Sequence, residues 1–234
     1  MRTIDIDDSG AFGQIIDELE NDAVLIQLPP VYVLVATATS AGVGHLDRLK
    51  IRQPNKNYGT MMGDIDRFWQ NVDTSLLPEG FRTPEAIEEM SDLFFRCPFT
   101  DPSFHSSVIR NGTHQSLALD GVHRQLVCEI EAAFEDRAEP EMWAGKHFTA
   151  PIATSCNLSG DPLGSIVDEA RALDFAASRG VGLFVTGEAG VGELGSYPIL
   201  ALEEDRVSIQ REGPGLSRLL DQVRCAMIGD RSAA

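Results

Sequence analysis

Ala153-Thr154-Ser155-Cys156-Asn157-Leu158-Ser159-Gly160-Asp161-Pro162 is the stretch on which the fold turns. It continues the run Ala150-Pro151-Ile152, and the spacing predicts a strand with Ser155 and Asn157 on one face and Cys156 turned into the core. Leu158 to Pro162 reads as a turn, and Ser165 as the N-cap of a helix through IVDEARALDFAAS. A hydroxyl and an amide thus stand at the carboxyl end of a strand beside a loop that feeds a helix. Open α/β sheets bind ligands at that position. Taken alone, the same residues equally describe an ordinary polar strand end.

Upstream lies LDRLKIRQPNK, with Lys50, Arg52 and Lys56 within seven residues. Three cations so close in an acidic chain suit an anionic ligand. A solvated helix end, whose dipole favours cations in its last turn, is the other reading. The pairing of K-x-R-x-x-x-K with a later T-S-x-N-x-S-G resembles the YrdC family, the threonylcarbamoyl-adenylate synthases. Fainter likenesses keep the same order: Cys97-Pro98-Phe99-Thr100 for G-P-x-T, Gly195-Ser196 near P-S-T, and Arg211 in IQREGPG for R-P-G. Together they span roughly residues 20 to 215.

The resemblance implies a single-domain α/β fold over residues 1–234, a twisted mixed β-sheet flanked by helices. It also implies ATP as substrate, with Mg2+ on its phosphates. Lys50, Arg52 and Lys56 would hold the triphosphate, and Thr154, Ser155, Asn157 and Arg211 would complete the nucleotide site. Lys50, Arg52, Ser155 and Asn157 would act in catalysis, and Lys50→Ala or Arg52→Ala would weaken ATP binding without unfolding the chain. The chemistry implied is attack of a carbamate oxygen on the α-phosphate of ATP with release of pyrophosphate. The partners would be small molecules: ATP, bicarbonate or a carbamoyl donor, and an amine or amino acid.

Departures from the family pattern fall on the side that would hold threonine. Pro29 to Ala36, with Tyr32, replaces P-T-x-T-x-Y-G-L; Leu117 stands where V-R-x-P has its arginine; Tyr197 stands where P-S-T has its threonine. An arginine's charge-assisted hold on a carboxylate is worth about 1.5–3 kcal/mol. A pocket with Tyr32, Leu117 and Tyr197 therefore points to an acyl or amine substrate other than L-threonine. The orthodox synthase, supplying tRNA modification, and a non-enzymatic binding relic remain the alternatives.

The chain has 234 residues, 43% of them apolar, which suits one buried core. Its 36 acidic and 19 basic residues give a formal charge of −17, which opposes direct contact with nucleic acid or an anionic membrane. No basic-then-apolar leader opens the chain and no run is long enough to cross a bilayer, so the expected location is cytoplasmic. Cys97, Cys128, Cys156 and Cys225 are scattered without a C-x-x-C pair, which predicts reduced and mostly buried thiols and no metal site. The five histidines lack ligand spacing and suit surface or structural roles.

In chain order, strands are expected at residues 3–6, 23–28, 31–37, 58–62, 106–109, 115–119, 182–186, 197–202 and 207–211. Asn111-Gly112 is a hairpin signal. Helices are expected from a Ser9 cap, at 42–49, at 64–72, from Thr83-Pro84 to Phe95, at 122–134 and at 215–228, ahead of a frayed tail. The glycine-rich loop 187–196 lacks the Lys-Ser/Thr of a phosphate loop and carries Glu188 and Glu193, so it reads as a lid or a plain connection.

Overall fold

The structure, a computed structural model, describes residues 1–229 except 55, 89, 189 and 191. The expected tail after residue 229 lies outside the described residues. Eleven strands among the described residues form one sheet. They are β1 (Arg2–Asp5), β2 (Val24–Leu28), β3 (Val31–Ala36), β4 (Gly59–Met62), β5 (Leu93–Pro98), β6 (Ile109–Arg110), β7 (Thr113–Ala118), β8 (Ile152–Ser155), β9 (Leu183–Thr186), β10 (Ile199–Glu203) and β11 (Arg206–Arg211). Their order is β1-β9-β2-β3-β8-β4-β7-β5-β10-β11, with β6 added to β7. Parallel pairs such as β2–β9 and β4–β7 alternate with antiparallel pairs such as β3–β8 and β5–β7, so the sheet is mixed, as expected.

Helices cover both faces: α1 (Ala11–Leu19), α2 (Ser40–Lys50), α3 (Ile65–Trp69), α4 (Glu85–Glu88), α5 (Gly121–Ala133), α6 (Glu169–Arg179) and α7 (Leu216–Gly229). Ile15 and Leu19 of α1 and Leu126 and Ile130 of α5 pack with Val24, Val33 and Leu117 on one side. Residues of α2, α3, α6 and α7 pack on the other, around Phe68, Phe99, Trp143 and Phe148. Fully buried His114 joins that aromatic group, its ring centroid 5.0 Å from that of Trp143. Val108 O, 2.9 Å from Nδ1, can only accept, so Nδ1 carries the proton and Nε2 accepts from Thr60 Oγ1 at 2.8 Å. Burial pulls this imidazole down to about 4 and keeps it neutral.

The Asn111-Gly112 hairpin forms as expected, and Pro29-Pro30, a break between two expected strands, proves to be a hairpin turn as well. β2 and β3 pair Leu28 with Val31 across Pro29-Pro30, where missing N–H groups cost no ladder bond. Asn111 and Gly112 both take positive φ, 50° and 70°, as a type I′ turn demands. A Cβ on Gly112 would come within 2.5 Å of Thr100 O.

Several expectations are corrected. The helix from Thr83 stops at Glu88, and Leu93 to Pro98 form β5. Asp92, at φ 65°, turns the chain between them, and the Leu-Phe-Phe run buries on both faces of a central strand rather than on one helix stripe. Gly10, at φ 82°, is the N-cap of α1 in place of Ser9. Asp168, whose side chain accepts from Arg171 N–H, caps α6 in place of Ser165. Cys97 and Cys156 are buried, but Cys128 and Cys225 are exposed.

Glu131 of α5 is buried and accepts from Gly63 N–H and Asp64 N–H, both at 3.0 Å. Burial raises its carboxyl to about 7, against the opposing pull of those two donors. The folded chain therefore binds more protons than the unfolded one between the ordinary carboxylate range and pH 7. Stability from this group is greatest below about pH 4.5 and declines as pH rises through 7, by at most roughly 3 kcal/mol. Glu131→Gln should remove that decline, so the difference in urea-unfolding free energy between wild type and variant should change across pH 4.5–7.5. Parallel profiles would show that the carboxyl titrates normally.

Candidate functional site

The decapeptide folds as a strand and turn whose partners fix where its side chains go. Val33 pairs with Ser155 and Val35 with Ala153, so alternate residues of β3 and β8 share a face. That face carries a cavity of about 190 Å3. Val31, Val33, Phe94, Leu117 and Ala153 give it apolar walls, and Thr154, Ser155, Gln115, Ser196, Arg52 and Arg211 supply its polar groups. The residues lining it include no carboxylate.

Arg52 lies 4.1 Å above the Tyr58 ring centroid and donates to Asn57 O at 2.8 Å, while its buried Nε has no partner. Tyr58 is itself fixed by donating to Asp47 Oδ1 at 2.7 Å. The guanidinium is thus held by a stacked ring and one carbonyl. Arg211 donates through Nε and Nη2 to Tyr197 O, at 2.9 and 2.6 Å, with its guanidinium carbon 5.7 Å from the Phe94 ring centroid. Desolvation and neighbouring Arg96 lower it to about 10, so it stays charged at neutral pH. Neither arginine forms an ion pair among the described residues.

Lys50 behaves differently. Thr39 caps α2 by accepting from Gly42 N–H, and the helix ends at Ile51 with φ 48°, which drives Lys50 inward to 2% exposure. Its Nζ donates to Ser155 O, to Asn157 O at 2.7 Å and to Asn157 Oδ1 at 3.2 Å. Burial, then Arg52, pull the ammonium down to about 7. A neutral amine has two donors and would turn a lone pair toward one of these three oxygens, so the contacts favour the ammonium. Asn157 Oδ1 also accepts from Ser155 Oγ at 2.7 Å, and its Nδ2 donates to Leu158 O at 2.9 Å. Ser155 and Asn157 do meet, as their spacing predicts. Lys50 and Asn157 lock the strand end, and only Thr154 and Ser155 of this group line the cavity.

The three cations do not converge. Lys56 is exposed and lines a separate concavity with His105 and Arg110. Leu117 and Tyr197 both line the cavity, whereas Tyr32 does not. One step from Val31 and Val33 along β3, its ring points through the sheet to Phe184, with centroids 6.0 Å apart. Sequence reasoning missed Tyr58 and Gln115, and noted Ser196 only within a faint family likeness. Gln115 is legible, two residues before Leu117 on the same strand face; Tyr58 carries no pattern of its own. Cys156 faces the core, where burial pushes its thiol up to about 12, which fits an unreactive role.

The glycine-rich loop is tied to the proline turn by Gly190 N–H to Pro29 O at 2.8 Å and Gly195 N–H to Pro30 O at 2.9 Å. Ser196 and Ser165 share a hydroxyl–hydroxyl bond beside it. No group of three or more His, Cys, Asp or Glu is placed to hold a metal among the described residues. The residues lining the cavity offer Mg2+ no carboxylate ligand. Among the described residues no helix is long and apolar enough to cross a membrane.

No protein-family model matches the sequence, and neither does any curated protein. Solved structures do. The chain is similar to E. coli YciO at 15% identity, covering 91% of this chain and 94% of that one, with a TM-score of 0.63. P. abyssi Sua5, solved in complex with L-threonine, matches at 16% identity over 95% of this chain and 61% of its own, with a TM-score of 0.63. Full-length HypF, in a phosphate- and nucleotide-bound form, matches at 17% identity over 85% of this chain and 28% of its own, with a TM-score of 0.62. The chain thus spans about three fifths of Sua5 and under a third of HypF. At these identities the likeness shows the fold, and the twisted mixed sheet described above is a divergent YrdC-like fold.

Proposed function

We propose that the chain is a YrdC-like enzyme that uses ATP to form a carbamoyl- or acyl-adenylate, on a substrate other than L-threonine. The observation carrying this reading is the convergence of two guanidiniums outside any ion pair, Arg52 and Arg211, on a cavity without a carboxylate in a chain of net charge −17. A carbamate or carboxylate oxygen attacks the α-phosphate, and the bond from that phosphorus to the bridging oxygen breaks. Pyrophosphate then leaves with the electron pair. Arg52 and Arg211 neutralise the charge that grows on the phosphate oxygens, and the Ser155 hydroxyl orients the reactants. At about 190 Å3 the cavity is below the roughly 300–1,000 Å3 of drug-sized pockets. It suits the acyl group and the reacting phosphate, with the nucleoside outside. Leu117 on its wall offers no charged hold for a free carboxylate. Magnesium would arrive with the phosphates, and no step is assigned to it.

Pyrophosphate release, with mass spectrometry of products, tests this with ATP, bicarbonate and a panel of small amines and carbamoyl donors. We expect turnover with a member of the panel and little or none with L-threonine. Efficient turnover of millimolar threonine would restore the orthodox synthase. The commitment of Lys50 to the fold favours a second reading, an anion-binding module without catalysis, for which Mg·ATP raises the melting temperature while nothing in the panel releases pyrophosphate.

A further inference from the structure

Among the described residues many cations outside this face are matched to carboxylates: Arg2 to Glu18, Arg48 to Asp22, Arg137 to Glu20, Arg171 to Asp161 and Arg206 to Glu203, for instance. Arg96 and Arg110 form no ion pair among the described residues, and both line a concavity of about 730 Å3 beyond the rim of the cavity. The sheet sets the spacing. Leu117, Phe94, Ile199 and Arg211 lie in one cross-strand row, and Gln115, Arg96 and Ala201 lie in the next row on the same face. Arg96 is held in place by donating from Nη2 to Gln115 Oε1 and from Nη1 to Thr113 Oγ1 at 3.3 Å, while its buried Nε has no partner. Gln115 lines the cavity, so one side chain joins the two sites. Arg110 is exposed, and it also lines the neighbouring concavity that contains Lys56.

We propose that Arg96 and Arg110 form a second oxyanion subsite, outside the cavity, that takes a phosphate-class anion such as pyrophosphate or the phosphate of a co-substrate. Arg96 supplies a guanidinium held by two hydrogen bonds, and Arg110 an exposed one within the same concavity. Thr113 and Asn111 add polar groups to the same concavity. Glu203 and Glu204 also line this concavity, and Glu203 is paired with Arg206, so the anion is expected against Arg96 and Arg110 and away from Glu204. The acidic balance of the whole chain favours the same choice over nucleic acid. This subsite stands whether or not the cavity makes an adenylate.

Inorganic pyrophosphate, titrated calorimetrically without magnesium, separates the two sites. The Arg52→Ala/Arg211→Ala double variant should keep pyrophosphate binding, and adding Arg110→Ala or Arg96→Gln should weaken it about tenfold. Circular dichroism checks folding; because Arg110 is exposed, Arg110→Ala decides the matter if Arg96→Gln proves unstable. Loss of all pyrophosphate binding in the double variant would overturn the subsite and leave the cavity reading standing. Residual binding indifferent to Arg110 would overturn it too, as would tight binding of an RNA oligomer through Arg110 at 150 mM salt.

Discussion

Lys50→Met should lower the unfolding free energy by about 3–5 kcal/mol, a larger loss than any exposed cation on this chain can cause. The ammonium is 2% exposed and serves Ser155 O, Asn157 O and Asn157 Oδ1. Methionine fills much of the space but leaves those oxygens buried without a donor. The strand end then loses the contact that joins it to α2, apart from Ser159 N–H to Lys50 O at 2.9 Å. Urea unfolding measures the loss, and hydrogen exchange should place it at residues 155–159. A variant as stable as wild type, with ligand binding reduced, would show that the amine serves the ligand instead. This reverses the expectation drawn from the K-x-R motif, in which removal of Lys50 spares the fold.

Arg52→Ala and Arg211→Ala are expected to behave in the opposite way. Each should weaken Mg·ATP binding about tenfold, and together about a hundredfold if their effects add. Arg52 is held by the Tyr58 ring and Asn57 O, and Arg211 by Tyr197 O, so each deletion leaves a backbone carbonyl that water can reach through the cavity. Stability should fall by roughly 1 kcal/mol or less per variant. Calorimetry gives the affinities and thermal unfolding the stabilities. Unchanged affinity in both single variants would remove the nucleotide from this cavity. The affinity should also fall as salt is raised, since Arg211 is exposed and Arg52 only partly buried, and charges open to solvent are screened.

Legibility in the sequence followed the range of the forces involved. Asn111-Gly112 declares its hairpin because φ is set locally, whereas Pro29-Pro30 declares only a break between strands, and the antiparallel pairing of β2 with β3 makes it a turn. Alternation around Cys156 correctly sends the thiol inward and Ser155 outward. Likeness to the family pattern at Pro29 to Ala36 put Tyr32 in the pocket; the pairing of Val33 with Ser155 shows that the other face of β3 looks at the cavity. Leu93-Phe94-Phe95 was misread because a buried central strand and a buried helix turn have the same apolar content over three residues. Lys50, Arg52 and Lys56 are neighbours along the chain, yet the left-handed turn at Ile51 sends them to a buried clamp, a cavity wall and open solvent. Arg96 and Arg110 could not be found from spacing at all, since register across β5, β6 and β7 brings them together.

The strand order has a consequence for how the protein is made. β1 and β2, from the first 28 residues, both pair with β9, which begins at Leu183. During synthesis the β2–β3 hairpin can close as soon as it emerges, but the other side of β2 and the whole of β1 must wait for more than 150 further residues. For that interval the nascent chain exposes Val24, Leu25 and Ile26 on an unpaired edge, where a second chain can add by backbone bonding. Expression that lowers the concentration of unfinished chains, by slower induction or cooler growth, should therefore raise the soluble yield more than any stabilising substitution in the finished fold.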